Sequence, residues 1–97
     1  MRVNNPRLDK INDLLQTLYS TPSMSIYSDL VLQCDRFEYE TNNSYVSDKL
    51  SNIRIEAKMI ASDEYEQGFS FQRCKQNMLG DINDIESELI YRETPAN

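Results

Sequence analysis

The sequence predicts an all-α protein: a small antiparallel bundle of three to four helices, with no sheet. Apolar residues recur at spacings of three and four along most of the chain, which is the period of helices that bury one face. No segment combines the β-branched enrichment and the polar–apolar alternation of a strand. The 97 residues are enough for one domain, 1–97, with a small core.

The first predicted helix covers residues 6–20. Asn5 stands at the N-cap, and Pro6 stands at the first helical position, where its missing amide hydrogen costs nothing. Pro22 ends this helix, because it disfavours the helical conformation of the residue before it. The apolar stripe consists of Leu8, Ile11, Leu15 and Leu18, with Leu14 beside it.

The second and third predicted helices cover residues 22–40 and 44–66. Between them, Asn42 or Asn43 can take the left-handed conformation common at helix ends, and Ser44 can cap the helix that follows. The second stripe consists of Ile26, Tyr27, Leu30, Val31, Cys34 and Phe37. The third consists of Val46, Leu50, Ile53, Ala57 and Ile60.

Gly68 decides whether the rest of the chain forms one helix or two. The apolar spacing stays in phase across it, but a single helix over 44–92 would be roughly 73 Å long, against a diameter of about 30 Å for a compact domain. An interior glycine costs about 1 kcal/mol, and Ser70 can cap a new helix. We therefore predict a turn at residues 67–70.

The fourth predicted helix covers residues 70–92, followed by a loose tail at 93–97. It carries the predicted partner-binding surface, an apolar ridge flanked by acids. The ridge consists of Met78, Ile82, Ile85 and Leu89, and the acids are Asp81, Asp84 and Glu88. This pattern suits a partner protein whose groove has an apolar floor and a basic rim. The alternative is that the ridge is ordinary core and the acids are solvated.

Tyr65, Phe69 and Phe71 form the densest aromatic cluster in the chain. Aromatic side chains often anchor protein interfaces, so this cluster is a second candidate contact for a partner. Its alternative role is to close the end of the bundle where two helices turn.

The composition excludes most familiar catalytic designs. With no histidine and two glycines, the chain has no P-loop, no dinucleotide-binding fingerprint and no histidine-based catalytic or metal site. Cys34 and Cys74 fall on apolar stripes and are expected to be buried free thiols, with a disulfide between two helices as the alternative. We predict neither enzymatic activity nor a cofactor.

Charge argues against direct binding of nucleic acid, which depends on basic side chains that neutralise phosphates. Ten Lys and Arg residues are scattered among sixteen acids, and residues 62–97 alone carry a net charge of −5 of the total −6. No apolar run approaches the about 18 residues of a membrane span. Residues 1–10 lack the apolar core of a secretory signal, so we expect a cytoplasmic location.

These observations favour a non-enzymatic helical module that binds and covers a partner protein, as an inhibitor, immunity protein, secretion chaperone or assembly adaptor does. The small core and wide apolar faces lead us to expect a homodimer or an obligate heteromer. One alternative is an acidic mimic of nucleic acid that blocks a DNA- or RNA-binding protein. Another is a magnesium-dependent nucleotide hydrolase that uses the carboxylates of Asp63, Glu64, Asp81 and Asp84.

Overall fold

The structure, a computed structural model, describes residues 5–62 and 71–93. These residues form four α-helices and no strand, with 91% of them helical, so the predicted all-α class is confirmed. The helices are α1 (Pro6–Ser20), α2 (Met24–Thr41), α3 (Ser44–Ala61) and α4 (Phe71–Glu93).

Short polar side chains set the starts of the first three helices. The Asn5 side chain accepts hydrogen bonds from the backbone amides of Arg7 and Leu8, as predicted for the N-cap of α1. α2 begins at Met24 rather than at Pro22, because the Ser23 hydroxyl caps it.

Two neighbouring asparagines connect α2 to α3: the first ends α2 and the second caps the start of α3. Asn42 ends α2 in the left-handed conformation, with φ of 46° and ψ of 51°. The cap of α3 is Asn43 and not the predicted Ser44, since the Asn43 side chain accepts from the backbone amides of Tyr45 and Val46. Because each asparagine serves one helix end, the connection between α2 and α3 needs only two residues.

α3 and α4 are two separate helices that run in opposite directions. Asn43, before α3, bonds to Glu88 near the end of α4, whereas Glu56, late in α3, bonds to Asn77 early in α4. One continuous helix over 44–92 is therefore excluded. α3 ends at Ala61, before the predicted residue 66, and the predicted turn at Gly68 lies outside the described residues.

Each helix packs mainly on its neighbours in sequence. Arg7 at the start of α1 pairs with Glu40 at the end of α2, with 2.7 Å between Nη2 and Oε2. Arg54 of α3 pairs with Asp35 and Glu38 of α2 at 3.3 and 3.1 Å. α1 also packs against α3, but the backbones of α1 and α4 approach each other much less closely. α1 and α4 are therefore joined mainly by side chains, such as the rings of Tyr19 and Phe71.

The core among the described residues is apolar throughout, and none of their polar or charged side chains is fully buried. All four helices contribute to it through the stripes that the sequence predicts. Its members are Leu8, Ile11, Leu15, Leu18, Leu30, Cys34, Phe37, Val46, Leu50, Ile53, Ala57, Ile60, Cys74, Met78, Ile82, Ile85 and Leu89.

Candidate functional site

The predicted α4 ridge is part of the core. Met78 and Ile85 are 0% exposed, Ile82 is 4% exposed and Leu89 is 9% exposed. α4 turns this stripe inward and covers it against the other helices, which agrees with the alternative that the ridge is ordinary core. The part of these four residues in partner binding stays a prediction.

The acids beside the ridge bind to α3 and its cap. Lys49 Nζ lies 2.9 Å from Asp84 Oδ2 and 3.9 Å from Asp81 Oδ1. The Asn43 side-chain amide donates to Glu88 Oε2 at 2.8 Å. The hydrogen bond with Asp84 raises the pKa of Lys49, which stays protonated. These three acids therefore link α3 and its cap to α4. Their predicted role in partner binding stays a prediction.

The predicted aromatic cluster is described in part, since Tyr65 and Phe69 lie outside the described residues. Phe71 is half-buried and packs against the core. Its ring meets the Tyr19 ring edge-on, with 6.1 Å between centroids and 85° between planes. Lys75 Nζ lies 5.1 Å from the Tyr19 centroid and 5.6 Å from that of Phe71. Phe71 and Tyr19 thus join α1 to the start of α4.

A groove lies between α1 and α4, on the side of α4 away from the acids that bind Lys49. We call it the α1–α4 groove, and its volume is about 130 Å³. The floor is apolar, and the rim carries side-chain amides and one cation. Its lining residues are Asn12, Leu15, Gln16, Tyr19, Gln72, Lys75, Gln76, Leu79 and Ile82.

Leu79 is the exposed apolar residue of this groove, and 55% of its surface is in contact with solvent. It follows the buried Met78 in sequence, so it projects about 100° away from the core stripe. Tyr19 likewise follows the buried Leu18. The sequence signal for the groove is therefore a pair of apolar residues one position outside the stripes of two helices. The apolar stripes alone do not reveal this pair, because both residues lie outside them.

A second, broader depression of about 920 Å³ lies where α2 meets α3. Most of its lining residues are polar, and Arg54 binds both Asp35 and Glu38, while Asp48 adds a third acid. Tyr39 at its margin is 87% exposed and projects into solvent. This depression lacks the apolar floor of the α1–α4 groove, so it is the weaker candidate for partner binding.

Both cysteines are buried and free, which confirms the prediction of separate thiols. Burial raises the pKa of the Cys34 thiol to about 12, and burial also raises the pKa of Cys74. A thiol whose pKa lies this far above neutral contains almost no thiolate, the nucleophilic form. Arg54 acts to lower the pKa of Cys34, but burial outweighs this effect.

Metal-binding geometry is absent from the part of the chain that the structure describes, where no group of three or more His, Cys, Asp or Glu side chains could hold an ion. Asp63 and Glu64 of the predicted carboxylate set lie outside that part. Within residues 5–62 and 71–93, no helix has the length and apolar character needed to cross a membrane.

Comparisons with protein-family models, with curated proteins and with solved structures gave no match. Among the described residues, the α1–α4 groove combines an apolar floor with a rim of side-chain amides.

Proposed function

We propose that the chain is a non-enzymatic helical module that binds a partner protein through the α1–α4 groove. The observation that carries this proposal is the position of Leu79, which is half-exposed beside the apolar floor of the groove between α1 and α4. Binding there would remove apolar surface from water without rearrangement of the core, and each Å² buried contributes roughly 25 cal/mol.

The size and chemistry of the groove favour a protein over a small molecule. Its volume of about 130 Å³ is well below the about 300 Å³ from which small-molecule sites start. A cleft of this size takes an anchoring side chain of a partner. The amides of Asn12, Gln16, Gln72 and Gln76 can then hydrogen-bond around that anchor. An amphipathic helix that lies along two bundle helices makes contacts of this kind.

Site-specific photo-crosslinking tests this proposal. A benzophenone amino acid at position 79 is expected to capture a partner in cells of the native host. The same amino acid at position 55 is the matched control, since Ile55 is also an exposed aliphatic residue, at 63%, but lies on α3 outside the groove. Purified complexes should then show weaker binding for Leu79→Lys and unchanged binding for Ile55→Lys. Identical adducts from both positions, or full binding by Leu79→Lys, would contradict the proposal.

A second copy of this chain is one candidate partner for the α1–α4 groove, because it is present wherever the protein is. Light scattering over a range of concentrations measures it directly. If the protein dimerises through the groove, Leu79→Lys shifts the equilibrium to monomer and Ile55→Lys does not. If the protein stays monomeric at all concentrations, the partner of the groove is a different protein.

A further inference from the structure

One carboxylate oxygen of Glu56, on α3, is shielded from solvent but has no hydrogen-bond partner. Its Oε1 accepts a hydrogen bond from the Asn77 side-chain amide of α4 at 2.9 Å. Its Oε2 is shielded from solvent and has no hydrogen-bond partner. An ionised oxygen removed from water without a partner is costly, and most buried polar atoms are paired. This oxygen therefore needs a compensating group.

The groups around Glu56 do not compensate a negative charge. α4 presents Cys74, Asn77 and Asp81, and α1 presents Tyr19. None of these four carries a positive charge at neutral pH, and an ionised Asp81 repels a second carboxylate. Lys49, the α3 cation that lies 3.9 Å from Asp81, is itself paired with Asp84 at 2.9 Å.

We propose that Glu56 is a proton-binding site within the α3–α4 interface, and that protonation of its carboxyl group stabilises the packing of these two helices. The proton comes from solvent and binds to Oε2, which converts the carboxylate into a neutral carboxylic acid. Oε1 keeps the hydrogen bond from Asn77. The neutral group removes both the desolvation cost of a buried charge and the repulsion from Asp81.

The pKa of Glu56 agrees with this geometry. Burial raises it above the ordinary 4.5, the bond from Asn77 opposes this in part, and Asp81 raises it further. The folded state then binds the proton more tightly than the unfolded state. The stabilisation of the folded state by this proton is fully present below the unfolded-state pKa of Glu56. It is lost as pH rises through the folded-state pKa of Glu56. Within that window the unfolding constant increases by up to about tenfold per pH unit.

Carboxyl-carbon NMR of the wild-type protein tests the site directly. We expect the Glu56 resonance to titrate with a midpoint above 4.5. Glu40 serves as an internal reference of opposite sign, because its hydrogen bond with Arg7 lowers its pKa. A Glu56 midpoint at or below 4.5 overturns the proposal, and this measurement requires no variant that might alter the fold.

The Glu56→Gln variant tests the effect on stability, because glutamine is neutral at every pH and similar in shape. Urea unfolding from about pH 5 to about pH 8 is expected to show a weaker dependence on pH than in the wild type. At neutral pH the variant should have the smaller unfolding constant. Glu40→Gln is the matched control and should leave the pH dependence in this range unchanged, because the pKa of Glu40 is lowered from 4.5 and its titration lies at lower pH. An unchanged wild-type profile in Glu56→Gln overturns the proposed role.

Discussion

Replacement of Ile85 by alanine separates a core role for the α4 stripe from a docking role. The side chain is 0% exposed and belongs to the core. The change removes three carbon atoms, each worth about 0.8 kcal/mol of transfer free energy, and adds the cost of the cavity left behind. We expect a loss of about 3 to 4 kcal/mol. This is a large share of the about 5 to 10 kcal/mol expected for a domain of this size.

Urea unfolding, followed by circular dichroism of the helices, measures this loss. With a denaturant slope of about 1.5 kcal/mol per M, the midpoint of Ile85→Ala should fall by about 2 M. Leu79→Ala is the matched control on the same helix. Because Leu79 is 55% exposed, its truncation should cost about 1 kcal/mol and lower the midpoint by well under 1 M.

Comparison of the two urea midpoints shows whether the Ile85 side chain is packed in the core. If Ile85→Ala shifted the midpoint no more than Leu79→Ala does, Ile85 would not be packed as the structure has it. The assignment of the α4 stripe to the core would then fail. If Ile85→Ala also weakened partner binding while the fold kept its stability, the original docking ridge would be supported instead.

Substitution of Asn42 and labelling of the two thiols test the connection after α2 and the burial of the cysteines. Asn42→Ala should lower stability by about 1 kcal/mol, because alanine is strained in the left-handed conformation, while Asn42→Gly should stay within about 0.5 kcal/mol of the wild type; urea midpoints compare the two. Cys34 and Cys74 should react slowly with a thiol-specific dye in the native protein and promptly in denaturant. Rapid labelling of the native protein would refute their burial.

The helices and most of the core were predictable because their signal repeats along the chain. A stripe of apolar residues every three or four positions specifies both the helix and the face that it buries. All five residues of the third stripe are buried, from Val46 to Ile60. The second stripe was predicted less well, since Ile26, Tyr27 and Val31 are only partly buried. They lie at the margin of the stripe and not at its centre.

The site was not predictable in the same way, because it depends on how two helices lie relative to each other. The sequence presents Asp84 as a charge on one side of α4, but only the register of α3 against α4 places Lys49 beside it. In the sequence, Leu79 is a single apolar residue outside a stripe. It lines a groove only because α1 lies beside α4 in the folded protein. The unpaired oxygen of Glu56 likewise exists only in that register.

The packing of each helix on its sequence neighbour also has a kinetic consequence. The main contacts join α1 to α2, α2 to α3 and α3 to α4, so most of them close short segments of chain. Helical proteins with such local contacts fold in microseconds to milliseconds, since little loop entropy is lost before contacts form. During synthesis, the first three helices can associate while α4 is still inside the ribosome. α4 follows α3 in the chain and would then pack on the face of α3 that it covers in the bundle.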